Sequence, residues 1–600
     1  MFDQQGEKES KSRVFLLQGL VLVLFCVIGL RLWYFQVYKG EIYADKARDN
    51  IARQQSIHAP RGLIRDRDGS ILAENQPAYG LAIIREDCPD LEAALRQVSQ
   101  WTGEDYAKLR KNFEQDKQQV KPFARQILVP KLDFEELALI ESQLMDWPGL
   151  RIVPKPLRTY PQGKLMSHVL GYVAQANKKE LEENSELRLG DNVGKHGLEK
   201  TFDKRLRGSK GLKQQQVNAQ GRTLEETVLQ EPEPGQDLEL SIDLELQKFA
   251  WNQLQDHSGA LIVMDPSQGK ILAMVSKPGF DNNRFVHGIS NKAWKEFLSE
   301  ARHPLLNRCL QSTYPPASVF KLVLAAAALE HGEINPKDTV YCPGHYRVGR
   351  RVFRCWKKGG HGKMDLKDAL KQSCDVYFYK LGEELGVEKI SKFAKEYGFN
   401  SRTGIDIPNE NKGLIPDKEW KLRRFGSRWQ GGDTINLSIG QGYTQVTPLQ
   451  IARYTAALVN GGKLYKPQLL LDEEPQVQAE LPLQQRELEA LRQAMLATVE
   501  EPQGTAWRLR TPGVQIGGKT GTAQVIRLLE EHEDMDQEEI PYNFRHHAWM
   551  ASFGQKAQQN YVVVALVEHG GMGGSTAGPI VKAIYDYLFV QEKEENGSIN

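Results

Sequence analysis

The run VFLLQGLVLVLFCVIGL, residues 14–30, places 17 residues in a row without a charge. A helix apolar on every face belongs in a protein core or in lipid. With Arg31 snorkelling and Trp33 and Tyr34 as interfacial aromatics, the stretch is long enough to span a bilayer. One transmembrane anchor is therefore expected over residues 14–36, after a short cytoplasmic tail of residues 1–13. A cleaved signal peptide fits less well, because the apolar run is long and no small-residue cleavage site follows it. Lys8, Lys11 and Arg13 precede the span while Arg31, Lys39, Lys46 and Arg48 follow it. Counting positive charges therefore does not orient it.

A chain of 600 residues has room for several domains around large cores. Its net charge of +1, with acids and bases interspersed, gives no electrostatic footprint for nucleic acid. Residues 37–240 have a mixed texture: RGLIRDRDGSILAEN reads as extended with a turn, DLEAALRQVSQW as a charged helix, and GKHGLEKTFDKRLRGSKG as a helix punctuated by glycine. From about residue 241 the apolar runs strengthen. A strand pair around Ser267 leads to a helical middle, then to the strands VQIGGKTGTAQV, HAWMASFGQ and YVVVALVEHG, and to a closing helix, GPIVKAIYDYLFV. This order predicts an α+β domain over 241–590 with helices packed on an antiparallel sheet. Residues 591–600 read as a disordered, solvated tail.

TYPPASVFKLVLAAAALE, residues 313–330, sets Ser318 and Lys321 at the head of an apolar helix. Pro315 and Pro316 fix the approach, and residues three apart on a helix share a face. Burying an ammonium group costs several kcal/mol, which drives a lysine toward its basic, neutral form. A neutral amine beside a hydroxyl makes an activated nucleophile. Ser-x-x-Lys also arises by chance, and Ser267 with Lys270 is a second copy, expected at a solvated hairpin tip. What distinguishes the first copy is its company. Ser373 and Asp375 follow in LKQSCDVYFYKLG, and Lys519, Thr520, Gly521 and Thr522 in GGKTGTAQ. On a strand, Lys519 faces one way while the two threonines face the other, able to grip a carboxylate. Gly521 is expected to leave space for a substrate backbone to pass.

Serine-x-x-lysine, serine-x-acid and lysine-threonine-glycine, in this order, resemble the penicilloyl serine transferases. The anchor, RGLIRDRDG, GLEKTFDKRLRG, LSIGQGYTQVTPLQIA and KTGTAQ extend the resemblance to class B penicillin-binding proteins, over nearly all of residues 14–590. Asp375 stands where most relatives have asparagine, which is similar to the elongation subgroup, and Ala317 stands where many have glycine. The resemblance implies a β-lactamase/transpeptidase-like domain preceded by an elongated pedestal, or dimerisation-like, domain over 37–240. It further implies a peptidoglycan D,D-transpeptidase that forms a serine acyl-enzyme on stem peptides and binds β-lactam antibiotics covalently. Ser318 is then the nucleophile, Lys321 its base and Ser373 a proton relay between Lys321 and Lys519. Thr520 and Thr522 hold the substrate carboxylate and Asp375 positions the substrate amide. A septal transpeptidase is the alternative, a β-lactam hydrolase a weaker one, and a catalytically silent scaffold weaker still.

Six cysteines are present. Cys342, Cys355 and Cys374 with His361 suit a closed tetrahedral zinc site, and a Cys342–Cys355 disulfide is the competing reading in an oxidising compartment. Some relatives in the elongation subgroup carry zinc here, so the resemblance implies a structural zinc that pins the catalytic loop, with His345 in reserve. It also implies an inner-membrane protein with a periplasmic catalytic domain. The implied partners are a glycan polymerase of the shape, elongation, division and sporulation family and rod-complex scaffold proteins.

Overall fold

The computed structural model describes residues 4–40, 52–117, 122–123, 125–154, 156–188, 190–217, 223–286, 288–525 and 540–591. The expected tail thus lies, after residue 591, outside the described residues. A helix runs over Gln4–Trp33 and continues as a wider π-turn over Tyr34–Tyr38. Within it, Val14–Tyr38 is long and apolar enough to cross a membrane, and none of it is buried against protein. At a rise of 1.5 Å per residue that stretch measures about 37 Å, more than the roughly 30 Å of bilayer hydrocarbon.

The chain divides into two compact units: Met1–Pro60, Ala78–Lys155 and Gly208–Gly235 form one, and Arg61–Pro77, Pro156–Arg207 and Gln236–Asn600 the other. In the first, strand Tyr79–Ile83 pairs with both Gln126–Leu132 and Leu150–Pro154. Helix Leu91–Thr102, capped by Asp90, buries Ala94, Leu95, Val98 and Trp101 in the same core as Leu81 and Ile83.

In the second unit, the RGLIRDRDG and GLEKTFDKRLRG signatures meet through one buried ion cluster. The Glu199 carboxylate, fully buried, accepts from Arg61 Nε and Arg158 Nε at 2.7 Å each. Burial pushes that carboxyl up, and the two guanidiniums outweigh it and hold it below its usual value. Removing either arginine would leave a buried charge underpaired, which costs about 3–5 kcal/mol.

The centre of the second unit is a five-stranded sheet of β1 (Gly259–Met264), β2 (Ile271–Lys277), β3 (Gln515–Ala523), β4 (His547–Lys556) and β5 (Gln559–Val567). Their order across the sheet is β2–β1–β5–β4–β3, antiparallel throughout. Every residue of β1 is buried, because helices cover both faces, which is why it reads as an unbroken apolar run. Helices α1 (Leu244–Gln253) and α6 (Gly578–Asp586) share a core with the sheet through Leu246, Ala250, Ile580 and Ile584. Helices α2 (Lys321–Glu330), α3 (Asp375–Glu396, broken at Gly386), α4 (Pro448–Val459) and α5 (Gln485–Glu500) complete the fold. The expected α+β arrangement is the observed one. Ser267 and Lys270 lie in the β1–β2 turn, where the Ser267 hydroxyl donates to Asp265 and Lys270 to the Leu471 carbonyl.

Candidate active site

Ser318 does not open the α-helix. It lies in a 3₁₀ turn, Ala317–Phe320, and α2 begins at Lys321. In a 3₁₀ turn, side chains three residues apart eclipse, so the tighter winding keeps Ser318 over Lys321. Two contacts outside the turn hold it: Ala317 N donates to Gly440 O at 2.9 Å, and Trp549 Nε1 donates to Pro315 O at 3.0 Å. A Cβ on Gly440 would sit 2.4 Å from the Ala317 carbonyl oxygen, so only glycine fits there. Ala317 has a φ of 49°, the left-handed region that costs an L-residue about 1–2 kcal/mol. Glycine would take up this conformation without that cost.

Ser373 also has positive φ, 55°, in the turn between helix Leu366–Lys371 and α3. This conformation points the hydroxyl and the carbonyl of one residue at the same amine. Lys321 Nζ, fully buried, donates to Ser373 O at 3.0 Å, Ser373 Oγ at 3.3 Å and Asp375 Oδ1 at 2.7 Å. The Phe378 ring lies 5.4 Å from the same nitrogen. Lys519 Nζ reaches Ser373 Oγ from the other side at 2.9 Å and Thr520 O at 3.1 Å. Burial, then repulsion from Lys321, pushes the Lys519 ammonium well below the usual lysine range, against the pull of Asp375. Three motifs separated by up to two hundred residues thus meet at one hydroxyl.

Two expected roles read differently in three dimensions. Asp375 has one oxygen on Lys321 and the other accepting from Trp356 N at 2.9 Å, so both oxygens already serve the site's own residues. At Gly521, the atoms a Cβ would meet are Trp549 Cβ at 3.0 Å and Pro316 O and Val319 Cγ2 at 3.1 Å. The space Gly521 leaves admits the turn that carries Ser318. Thr520 and Thr522 do share a face: Thr520 Oγ1 donates to Thr505 Oγ1 at 3.1 Å, and Thr522 Oγ1 accepts from Gly573 N at 3.4 Å. β3 is the edge strand of its sheet, so one row of its backbone groups is not taken by another strand.

Trp356 carried no signal in the sequence. Its indole Nε1 donates to Ser373 O at 3.1 Å and Gln372 O at 3.2 Å, and its ring packs edge-on to His361 at 5.4 Å. It is the bridge between the catalytic turn and the cysteine cluster. There, the ligand atoms of Cys342, Cys355, His361 and Cys374 all lie within 4.8 Å of one another. His361 Nδ1 is 3.6 Å from Cys342 Sγ and 3.5 Å from Cys355 Sγ. A hydrogen bond from Cys374, then one from His361, pulls the Cys355 thiol down to about 2, and the Cys374 thiol is pushed up in return. The structure joins none of the six cysteines in a disulfide, Cys342 and Cys355 included. His345 is exposed on a hairpin and outside the group. Cys309 is buried and donates to Val275 O at 3.0 Å.

Comparison with known proteins agrees with this geometry. The family profile "Penicillin binding protein transpeptidase domain" matches residues 259–586, and "Penicillin-binding Protein dimerisation domain" matches 56–240. The chain is 32% identical to the peptidoglycan D,D-transpeptidase MrdA of Haemophilus influenzae, over 98% of this chain and 93% of that protein. PBP2 of Helicobacter pylori, solved in complex with MreC, superposes with a TM-score of 0.80 at 33% identity, covering 90% of this chain and 99% of that one. A structure described as a peptidoglycan synthase complex that coordinates polymerization and crosslinking gives a TM-score of 0.70 at 29% identity, over 96% of this chain and 98% of that one. With both profiles matched in order and the similarity running the length of the chain, the protein belongs to the penicillin-binding proteins, among the class B members of PBP2 (MrdA) type.

Proposed function

We infer that this chain is the peptidoglycan D,D-transpeptidase of cell elongation, anchored in the inner membrane by its N-terminal helix with the catalytic domain in the periplasm. The observation that carries the reading is the buried Lys321–Ser373–Lys519 chain of hydrogen bonds, set three residues from Ser318. Ser318 attacks the penultimate D-Ala carbonyl of a stem peptide, its proton passing to Lys321, and the terminal D-Ala leaves from an acyl-enzyme. Ser373, accepting from both amines, gives its proton to the departing amine and is re-protonated by Lys321, which so passes on the proton taken from Ser318. Asp375 holds Lys321 in place and becomes its counter-charge once Lys321 has taken the Ser318 proton. The backbone N–H groups of Ser318 and Thr522 form the oxyanion hole, worth about 3–4 kcal/mol per donor. Thr520 and Thr522 hold the terminal carboxylate beside Lys519. The amine of a second stem peptide then resolves the ester into a crosslink, and β-lactams stop the cycle at its first half. The MreC complex and the synthase complex among similar structures favour an elongation scaffold and a glycan polymerase as partners, and elongation over septal duty.

We also propose that Cys342, Cys355, His361 and Cys374 hold one zinc ion. Three thiol sulfurs and one imidazole nitrogen converging in a mostly buried group make a closed structural donor set. When bound, zinc supplies no chemistry to the reaction and fastens the 342–361 segment to the residue between Ser373 and Asp375. Metal analysis of the purified protein tests this. One zinc per chain is expected, with Cys374→Ser losing the metal and most penicillin acylation. A metal-free wild-type protein that acylates at full rate would refute it. Crosslinked muropeptides formed by the full-length protein from polymerised, uncrosslinked strands test the activity, and persistence of the crosslinks in Ser318→Ala would contradict it.

A further inference from the structure

Between Tyr341 and Met364 the chain carries Arg347, Arg350, Arg351, Arg354, Lys357, Lys358 and Lys363 and no acidic residue, in a protein whose net charge is only +1. Strands His345–Val348 and Arg351–Arg354 fold this segment into a hairpin. Its inner face is anchored: Tyr346 donates to Glu383, Phe353 packs on Tyr379 at 5.9 Å, and the side chains of Val348 and Phe353 lie 3.0 and 3.2 Å from where Cβ atoms on Gly431 and Gly432 would be. Strand alternation then turns His345, Arg347, Val352 and Arg354 outward, and all four are exposed. At its base the hairpin runs into Trp356, which is 59% exposed while its indole N–H contacts the Ser373 carbonyl. A cationic track therefore starts one hydrogen bond from the catalytic turn and leads outward along α3.

We propose that this track is a subsite for the carboxylate-bearing stem peptide of an uncrosslinked glycan strand, running away from Ser318. The inference rests on the transpeptidase reading above. Six residue-to-residue steps lead from Trp356 to Arg350 at the hairpin turn, about 20 Å of extended chain, and a stem of five residues extends about 17 Å. The peptide's terminal carboxylate is taken up beside Lys519, so its remaining carboxylates are what a basic track would recognise, with the exposed Trp356 ring offering apolar cover near the reacting end. A small β-lactam is too short to reach Arg347 or Arg350.

The test compares two ligands on the full-length protein in detergent. Arg347→Glu with Arg350→Glu and Lys357→Glu should weaken binding of soluble, uncrosslinked, pentapeptide-bearing strands at least tenfold and flatten its salt dependence. Benzylpenicillin acylation should stay within twofold of wild type. Arg347→Gln with Arg350→Gln should give an intermediate loss, and serves if the triple variant does not fold. Unchanged strand binding in a variant that acylates normally overturns the proposal. So does a loss confined to vesicles of phosphatidylglycerol, which would make the track a lipid contact. A wild-type protein that takes up no penicillin would instead overturn the transpeptidase reading itself.

Discussion

At the scale of single residues, the site is a set of donors converging on few acceptors. The Ser373 carbonyl accepts from Lys321 and from Trp356, and the Asp375 carboxylate is shared between the same two residues. Trp356 thereby acts as a positioning residue for the base. Trp356→Phe keeps the ring on His361 and deletes only the indole donor. Each lost hydrogen bond is worth about 0.5–1.5 kcal/mol, so the rate constant of penicillin acylation should fall roughly tenfold. The affinity of the preceding non-covalent complex and the zinc content should hold; a rate equal to wild type would remove Trp356 from the mechanism. The meeting of Lys321, Ser373 and Lys519 was legible in the sequence because each sits in a short pattern whose spacing states its geometry. Trp356 was not, since its role exists only once 356 and 373 are brought together. Asp375 was legible as a polar member of the motif, but its partners were not, because they come from α2 and from the cysteine segment.

At the scale of elements, the site depends on the close approach of the 317–320 turn to β3. Gly521 permits it, with neighbours already 3.0–3.1 Å from where a Cβ would be. Gly521→Ala would force the turn and β3 apart by a few tenths of an ångström. Because catalytic geometry is sensitive to displacements below 1 Å, acylation should slow about tenfold while the melting temperature moves little. Equal rates in stopped-flow measurements with a fluorescent penicillin would show that the turn is not held by this contact. The strands of the sheet and α2 were readable from unbroken apolar runs. The 3₁₀ start of α2 was not, since the left-handed φ of Ala317 is imposed by Gly440 from a distant loop.

For the whole molecule, two half-buried imidazoles contribute to the response to acid. Burial pushes His168 down to about 4, and burial, then repulsion from His569, takes His547 to about 4 as well. Both folded values lie below the usual 6.5, so between pH 6.5 and 4 the unfolded chain binds more protons than the folded one. Stability should therefore be intact above pH 6.5 and fall as the pH drops toward 4, by on the order of 2 kcal/mol per group. Thermal melts should locate this slope, and His168→Gln should flatten part of it. A melting temperature constant across this window would contradict these assignments. The long apolar N-terminal helix, the α+β class and the order of the motifs were all evident from the sequence. The division into two packing units was not, because segments 61–77 and 156–207 lie far from residue 236 along the chain yet pack in the same unit as residues 236–600.

The central claim is that Ser318 is the nucleophile, activated by the buried amines around Ser373. Intact-protein mass spectrometry after benzylpenicillin, with peptide mapping, tests it most directly. One penicilloyl group is expected on Ser318, absent from Ser318→Ala. An adduct on another residue, or none on wild type, would contradict it.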